Sequence, residues 1–263
     1  MNISSTFYKL GVCGNPIDHS KGPALFSQFF EKKSLLGSYK AFEINNPCEI
    51  LPLMKDFNLT GLNITAPFKE DLIDFVDELD DISKQIKALN TVVFRNNKFI
   101  GYNTDPYGII ESLKSYGAHK LNNALIVGAG GASRAAISAL KKLKTNITIT
   151  NRTVKKAEKL KQEFSINHIN YNAIRNYIHS FELIICTLPD PSLFPAINNI
   201  SKNTFFLDAN YKSNGSFIKN LKIKPLYIPG KLWLYHQARQ AFNHFTSKDA
   251  PFLNNIELDK IFG

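Results

Sequence analysis

The chain has little cysteine, methionine or tryptophan: three, two and one among 263 residues. Cys13, Cys48 and Cys186 are far apart in sequence and form no Cys-x-x-Cys pair. That excludes a disulfide framework and a cysteine zinc site, and places the protein in a reducing, cytoplasmic setting. No apolar run approaches the roughly 20 residues that a membrane span needs, and "MNISSTFYKLGV" lacks the basic and apolar segments of an export signal. No pair of histidines has metal-ligand spacing on one helix face, so no metal is expected. Acidic residues are in deficit, 22 against 32 lysines and arginines, for a net charge of +10. The lysines fall singly or in pairs on helix-like stretches such as "KKAEKLKQEF", without the interleaved aromatics of a single-strand binder. The excess therefore reads as a solvated basic face that attracts phosphorylated or carboxylated small molecules, not a nucleic acid.

What is present is the material of a folded core, with 44% hydrophobic residues and a length suited to one large domain or two ordinary ones. In the first hundred residues apolar runs alternate with amphipathic stretches: "LGVCG", a helix after Pro23, "YKAFEI", a segment from Pro47 to Phe57, "LTGLNIT", and a helix opening at Pro67. Leu25, Phe26, Phe29 and Phe30 share one face of the first helix. "NTVVFRNNKFIGYNT" reads as a hairpin turning at Asn96-Asn97. The same grammar resumes near Asn122 with "NALIVGAGGASRAAISALKKL", "NITITN" and "VKKAEKLKQEF". It continues through the strands "FELIICT", "TFFLDAN" and "PLYIPG" and closes on a long helix, "GKLWLYHQARQAFNHF". Strands alternating with helices predict an α/β fold with mostly parallel sheets.

A strand entering Gly128-Ala129-Gly130-Gly131-Ala132 and then a helix gathers backbone amides and the positive helix end around one point, a place for a pyrophosphate. An NAD site usually follows with an acidic residue about 20 positions on. Here Asn151-Arg152-Thr153 stands there instead, with Lys155 and Lys156 beyond, and cations suit a 2'-phosphate. NADP is therefore the expected cofactor. In the first half, "GLNITAPFKE", "ALNTVVF" and "GYNTDPYG" put Asn and Thr at strand ends, partners for a polyol, and Lys69 and Asp105 add charges able to pass a proton.

Taken together, "GNPIDHSKGP", "GLNITAPFKE", "ALNTVVF", "GYNTDPYG", "VGAGGASRAA", "TNRT" and "QARQAF" resemble the shikimate dehydrogenase family from about Leu10 to Phe245. The resemblance implies a two-domain fold. An N-terminal α/β substrate domain (1–106, rejoined by 231–263) would carry an inserted Rossmann-type NADP domain (107–230), with a cleft between them. It implies NADP-dependent reduction of 3-dehydroshikimate to shikimate, a step of aromatic amino acid biosynthesis, by a monomer or homodimer. Lys69 and Asp105 match its catalytic pair. Asn63, Asn90 and Gln237 match side chains that bind substrate hydroxyls; Ser20, Thr65 and Tyr211 match those that address the carboxylate. Gly128, Ala129, Gly130, Gly131, Ala132, Asn151, Arg152 and Thr153 match the NADP cradle, and Thr187 and Gly230 match contacts nearer the nicotinamide.

Four departures from the family pattern stand out. The opening loop carries Gly22 where a second serine is usual, Pro106 replaces a glycine after Asp105, and "CTLPDPSLF" replaces a different loop. Trp233 stands where methionine is common, in a segment that also lacks the usual Asp before Gly230. These changes keep two alternatives in view: a dehydrogenase of quinate or another shikimate-like acid, and a non-catalytic NADP-binding relative. His19 lacks the partners of a hydrolytic serine site and reads as structural. His236 and Gln237 point about 100° apart on a helix, and Gln237 is the one expected to face the ligand. Read as half of a carboxylate clamp, "HSKGP" predicts that Gly22→Ser would lower the Michaelis constant for shikimate.

Overall fold

A computed structural model describes residues 6–212 and 215–263; the first five residues, part of the stretch read for an export signal, lie outside it. Packing divides the chain into two compact units, one running to Thr104 and resumed by Gln237–Gly263, the other Asp105–His236. Asp105 and Trp233 thus fall in the second unit.

The first unit is built on β1 (Phe7–Gly14), α1 (Gly22–Lys32), β2 (Leu36–Glu43), α2 (Ile50–Asp56), β3 (Gly61–Ile64), β4 (Glu78–Leu79), α3 (Asp81–Ile86), β5 (Thr91–Arg95) and β6 (Lys98–Tyr102). Its sheet runs β2-β1-β3-β5-β6-β4. The strands joined through helices, β2, β1 and β3, are parallel, whereas the hairpin strands β5 and β6 run antiparallel to each other and β5 antiparallel to β3. Asn96 and Asn97 both adopt positive φ, 53° and 59°. That is the backbone a tight hairpin demands and asparagine tolerates. The expected helix at Pro67 is absent: residues 66–70 form turns, followed by a single 3-10 turn at Asp71–Asp74. Phe68 and Leu72 are buried at helical spacing, but Phe75 is 44% exposed, so the apolar stripe that would hold a helix down stops after one turn.

The second unit contains α4 (Asp105–Ser115), β7 (Asn123–Val127), α5 (Gly131–Lys142), β8 (Asn146–Thr150), α6 (Val154–Phe164), β9 (Asn167–His168), β10 (Leu183–Cys186), β11 (Phe205–Asp208), α7 (Ser216–Lys219), β12 (Leu226–Ile228) and the start of α8 (Gly230–Thr246). All its strands are parallel, in the order β12-β11-β10-β7-β8-β9. Numbered from β7, that is the 3-2-1-4-5-6 order of doubly wound dinucleotide-binding sheets read from β9, with the direction of winding reversing between β7 and β10. Loops after these two central strands are where such sheets place ligands.

The remainder of α8 and a last helix, α9 (Asn255–Phe262), close the first unit. Phe242 meets Phe26, Phe29 and Phe30 of α1 at centroid separations of 6.2, 5.5 and 5.9 Å. The face foreseen for α1 is thus buried against a helix more than two hundred residues away. Asn254 caps α9 through a capping box with Glu257, whose carboxylate also pairs with Lys32 at 2.6 Å, pinning the C-terminus to α1.

Candidate functional site

In the first unit the three Asn/Thr motifs are brought into one line by strand register. Asn63 of β3 lies opposite Thr91 of β5, and Thr91 lies opposite Tyr102 of β6, which leads directly into Asn103 and Thr104. Asn63 donates through Nδ2 to the Asn90 carbonyl at 3.2 Å and to Thr91 Oγ1 at 3.0 Å. Asn90 donates to Thr104 Oγ1 and to Gln237 Oε1, both at 3.0 Å, while its Oδ1 accepts from Thr91 Oγ1 and from the Thr104 amide. Asn90 is 4% exposed and both its amide hydrogens are engaged, so it is a hub that fixes the neighbouring polar groups. Gln237, not His236, is the residue of α8 that Asn90 reaches.

Lys69 is half-buried on the loop after β3, and its carbonyl accepts from the Leu89 amide at 2.8 Å, which ties its backbone beside Asn90. Thr65 follows two residues after Asn63, its amide bonded to the Cys13 carbonyl at 2.9 Å. Ser20 Oγ accepts from the Gly22 amide at 3.2 Å at the start of α1. A Cβ at Gly22 would lie 2.9 Å from Tyr39 Cε1, and 3.2 Å from both Tyr39 OH and Ser20 Oγ. The space that a side chain at 22 would need therefore belongs to Tyr39. Its ring stacks on Phe26 at 4.1 Å, and its hydroxyl donates to Asn63 Oδ1 at 2.8 Å. Tyr39 adds a hydroxyl to this cluster that the motifs did not reveal. Its only signal was an aromatic residue in the strand "YKAFEI".

In the second unit Asp105 opens α4, 2% exposed, where a carboxylate meets the positive end of the helix dipole. Its Oδ1 accepts from Trp233 Nε1 at 3.0 Å. Sequence reading marked Trp233 as a departure but assigned it no contact. Tyr211 and Gly230 lie together: a Cβ on Gly230 would meet the Asp208 carbonyl at 2.4 Å and the Tyr211 amide at 2.9 Å. Burial pushes the Tyr211 phenol upward from its ordinary value.

The glycine turn sits between β7 and α5. Gly128 has φ +121°, and a Cβ there would meet Thr187 Oγ1, so only glycine fits. Thr187, after β10, donates through Oγ1 to the Val127 carbonyl at 2.9 Å and shares a 2.8 Å contact with Ser133 Oγ, joining the two loops at the point where the winding reverses. No side chain caps α5: its N-cap is Gly130, which has open space around it, and Gly131 and Ala132 follow with no acidic residue in the first turn. The first turn of α6, after Asn151, Arg152 and Thr153, likewise has no acidic residue and no side-chain cap at Thr153; Arg152, Lys155 and Lys156 are exposed there. Cations at the positive end of a helix are unfavourable unless an anion joins them. Two helix starts with uncapped amides, one flanked by cations, fit the pyrophosphate and 2'-phosphate of NADP. Arg134, a residue only 4% exposed, is directed to α6, its guanidinium donating to the Glu163 carboxylate by two 2.9 Å bonds.

Among the described residues no group of His, Cys, Asp and Glu is arranged to hold a metal ion, and no helix is long and apolar enough to cross a membrane. The all-parallel sheet, its strand order and its glycine turn define a dinucleotide-binding α/β protein.

Comparison with known proteins narrows the class. Residues 12–92 match the family model described as the shikimate dehydrogenase substrate binding domain, and residues 111–199 match shikimate / quinate 5-dehydrogenase. The chain is 36% identical over 266 residues to shikimate dehydrogenase (NADP(+)) of Aquifex aeolicus, covering 96% of this chain and 95% of the relative. Its fold superposes on the crystal structure of shikimate dehydrogenase from that organism with a TM-score of 0.87 at 32% identity, covering 98% of both chains. A shikimate dehydrogenase solved in complex with NADP+ gives a TM-score of 0.85 at 28% identity, covering 97% of this chain and 94% of the other. The chain belongs to the shikimate dehydrogenase family.

Proposed function

We propose that the protein catalyses the reversible, NADP-dependent reduction of 3-dehydroshikimate to shikimate in the cytoplasm, its first unit holding the substrate and its second the cofactor. The observation that carries this reading is the registered Asn63–Asn90–Gln237 network of the first unit, in a family whose named relatives are NADP-dependent shikimate dehydrogenases. NADPH, when bound, supplies the hydride. The chain's own residues do the rest. Gly128 to Ala132, with Thr187 and Gly230, give the dinucleotide close access to backbone, and Asn151, Arg152 and Thr153 receive its adenosine end. Asn63, Asn90 and Gln237 are amides suited to the ring hydroxyls. The bonds they already make limit how far they reorient on binding; Asn90, with both amide hydrogens engaged, would exchange its Thr104 or Gln237 bond for one to a hydroxyl. Ser20, Thr65 and Tyr211 are hydroxyls for the carboxylate. Lys69 and Asp105 handle the proton at the reacting oxygen, a role worth typically 10²- to 10⁴-fold in rate.

Gly22 and the altered loops give one further reading a specific footing, a preference for quinate or a related acid. A panel of shikimate and quinate with NADP and with NAD, followed by cofactor absorbance, tests both. Shikimate with NADP should give the highest kcat/KM; no turnover of either acid by folded protein that binds NADP would refute the proposal. Lys69→Ala should abolish most turnover without weakening NADP binding.

A further inference from the structure

We propose that Trp233 is the positioning residue for the Asp105 carboxylate, a role that rests on the reading of Asp105 as a proton-transfer group. Trp233 is the chain's one tryptophan, it is 5% exposed, and its indole Nε1–H donates to Asp105 Oδ1 at 3.0 Å. An indole has a single polar group and can only donate, so burying it demands an acceptor. The acceptor this fold supplies is the carboxylate to which the chemistry is assigned, 128 residues away in sequence and at the first position of α4. A buried N–H to carboxylate bond is stronger than one between neutral groups. It also restricts rotation about the Asp105 Cβ–Cγ bond and so fixes Oδ1 at the indole. Trp233 is itself buried, lying in the first turn of α8 just after Gly230, whose missing side chain lets α8 start hard against the loop at Asp208 to Tyr211. The indole therefore gives Asp105 a rigid partner from a second helix of the same unit.

Because Trp233 is the only tryptophan, growing a tryptophan auxotroph on 3-benzothienylalanine replaces this one ring with an isostere that has sulfur in place of N–H. The substituted enzyme should melt lower by about 3–12 °C, because a buried carboxylate oxygen loses its donor, yet stay folded and keep its KM for shikimate within about twofold, while kcat falls about tenfold to hundredfold, the range for a lost hydrogen bond to a charged group. Trp233→Phe should move kcat in the same direction. In 15N-labelled protein the single indole N–H resonance should shift in Asp105→Ala. An unchanged kcat in the isostere, or an indole resonance indifferent to Asp105→Ala, overturns the assignment. Failure of the unsubstituted enzyme to turn over shikimate or quinate would instead overturn the reading of the site.

Discussion

Gly22→Ser is the substitution on which the sequence and the structure disagree in sign. Read as a motif, a serine there restores a second hydroxyl to a carboxylate clamp and lowers KM. In the structure the added Cβ alone comes to 2.9 Å from Tyr39 Cε1 and 3.2 Å from the Tyr39 hydroxyl. Real Cβ contacts do not close to that distance, so the ring must shift. It has little freedom to do so, being stacked on Phe26 at 4.1 Å and tied to Asn63 at 2.8 Å, with Phe26 itself 1% exposed. Overpacking of this kind costs about 1–3 kcal/mol, equivalent to a melting shift of roughly 2–12 °C. Displacing the Tyr39 hydroxyl also releases the Asn63 side chain, and re-ordering one side chain on binding, about 0.5–1.5 kcal/mol, corresponds to about a two- to tenfold rise in KM. The assay is steady-state kinetics with shikimate alongside calorimetry of Gly22→Ser, Tyr39→Ala and the double variant. Removing the ring should rescue the serine, so the two destabilisations should fall short of additive. A lower KM with unchanged melting in Gly22→Ser would refute the argument and show that Tyr39 yields to the new side chain.

Three further outcomes follow from the same geometry. Arg152→Gln should raise the KM for NADP about tenfold to hundredfold and leave that for NAD nearly unchanged, since only the 2'-phosphate loses a charged partner; equal effects on both cofactors in the absorbance assay would remove Arg152 from the phosphate site. Glu163→Ala takes the carboxylate from the buried Arg134 guanidinium and should cost about 3–5 kcal/mol in urea unfolding, whereas a loss under 1 kcal/mol would mean the ion pair is dispensable. Burial pushes the Cys13 and Cys186 thiols up to about 12, so at pH 8 almost no thiolate forms at either. Cys48 is exposed, and a thiol reagent should label one cysteine in the native protein and three in denaturant; rapid labelling of all three in the native protein would contradict the burial.

Local signals made much of the fold legible. The paired asparagines at 96 and 97 announced their hairpin because positive φ is a property of those residues themselves. The glycine turn and alanine-rich helix after β7 were readable because strand, turn and helix are contiguous in sequence. The helix expected at Pro67 failed because periodicity over one turn, Phe68 to Leu72, does not show whether the next apolar residue finds a core. Asp105, whose motif was placed at a strand end with no helix assigned after it, opens an eleven-residue helix, although Thr-Asp-Pro is itself a helix-start pattern.

The residues that stayed hidden share a physical cause. Tyr39 and Trp233 bond to partners 24 and 128 positions away, and nothing in the local sequence shows whether an aromatic side chain carries a buried hydrogen bond or only fills the core. In both cases the apolar ring is what positions the polar tip: Phe26 beneath Tyr39 fixes where its hydroxyl reaches Asn63, and burial of the indole fixes where its N–H reaches Asp105. The three Asn/Thr motifs were individually visible, yet each alone is only a turn-former's signature. What makes them one network is that β3, β5 and β6 pair in a register with Asn63 opposite Thr91 and Thr91 opposite Tyr102. A slip of one residue would turn Asn63 to the other face and break the network, so the sheet's register and the site are one constraint.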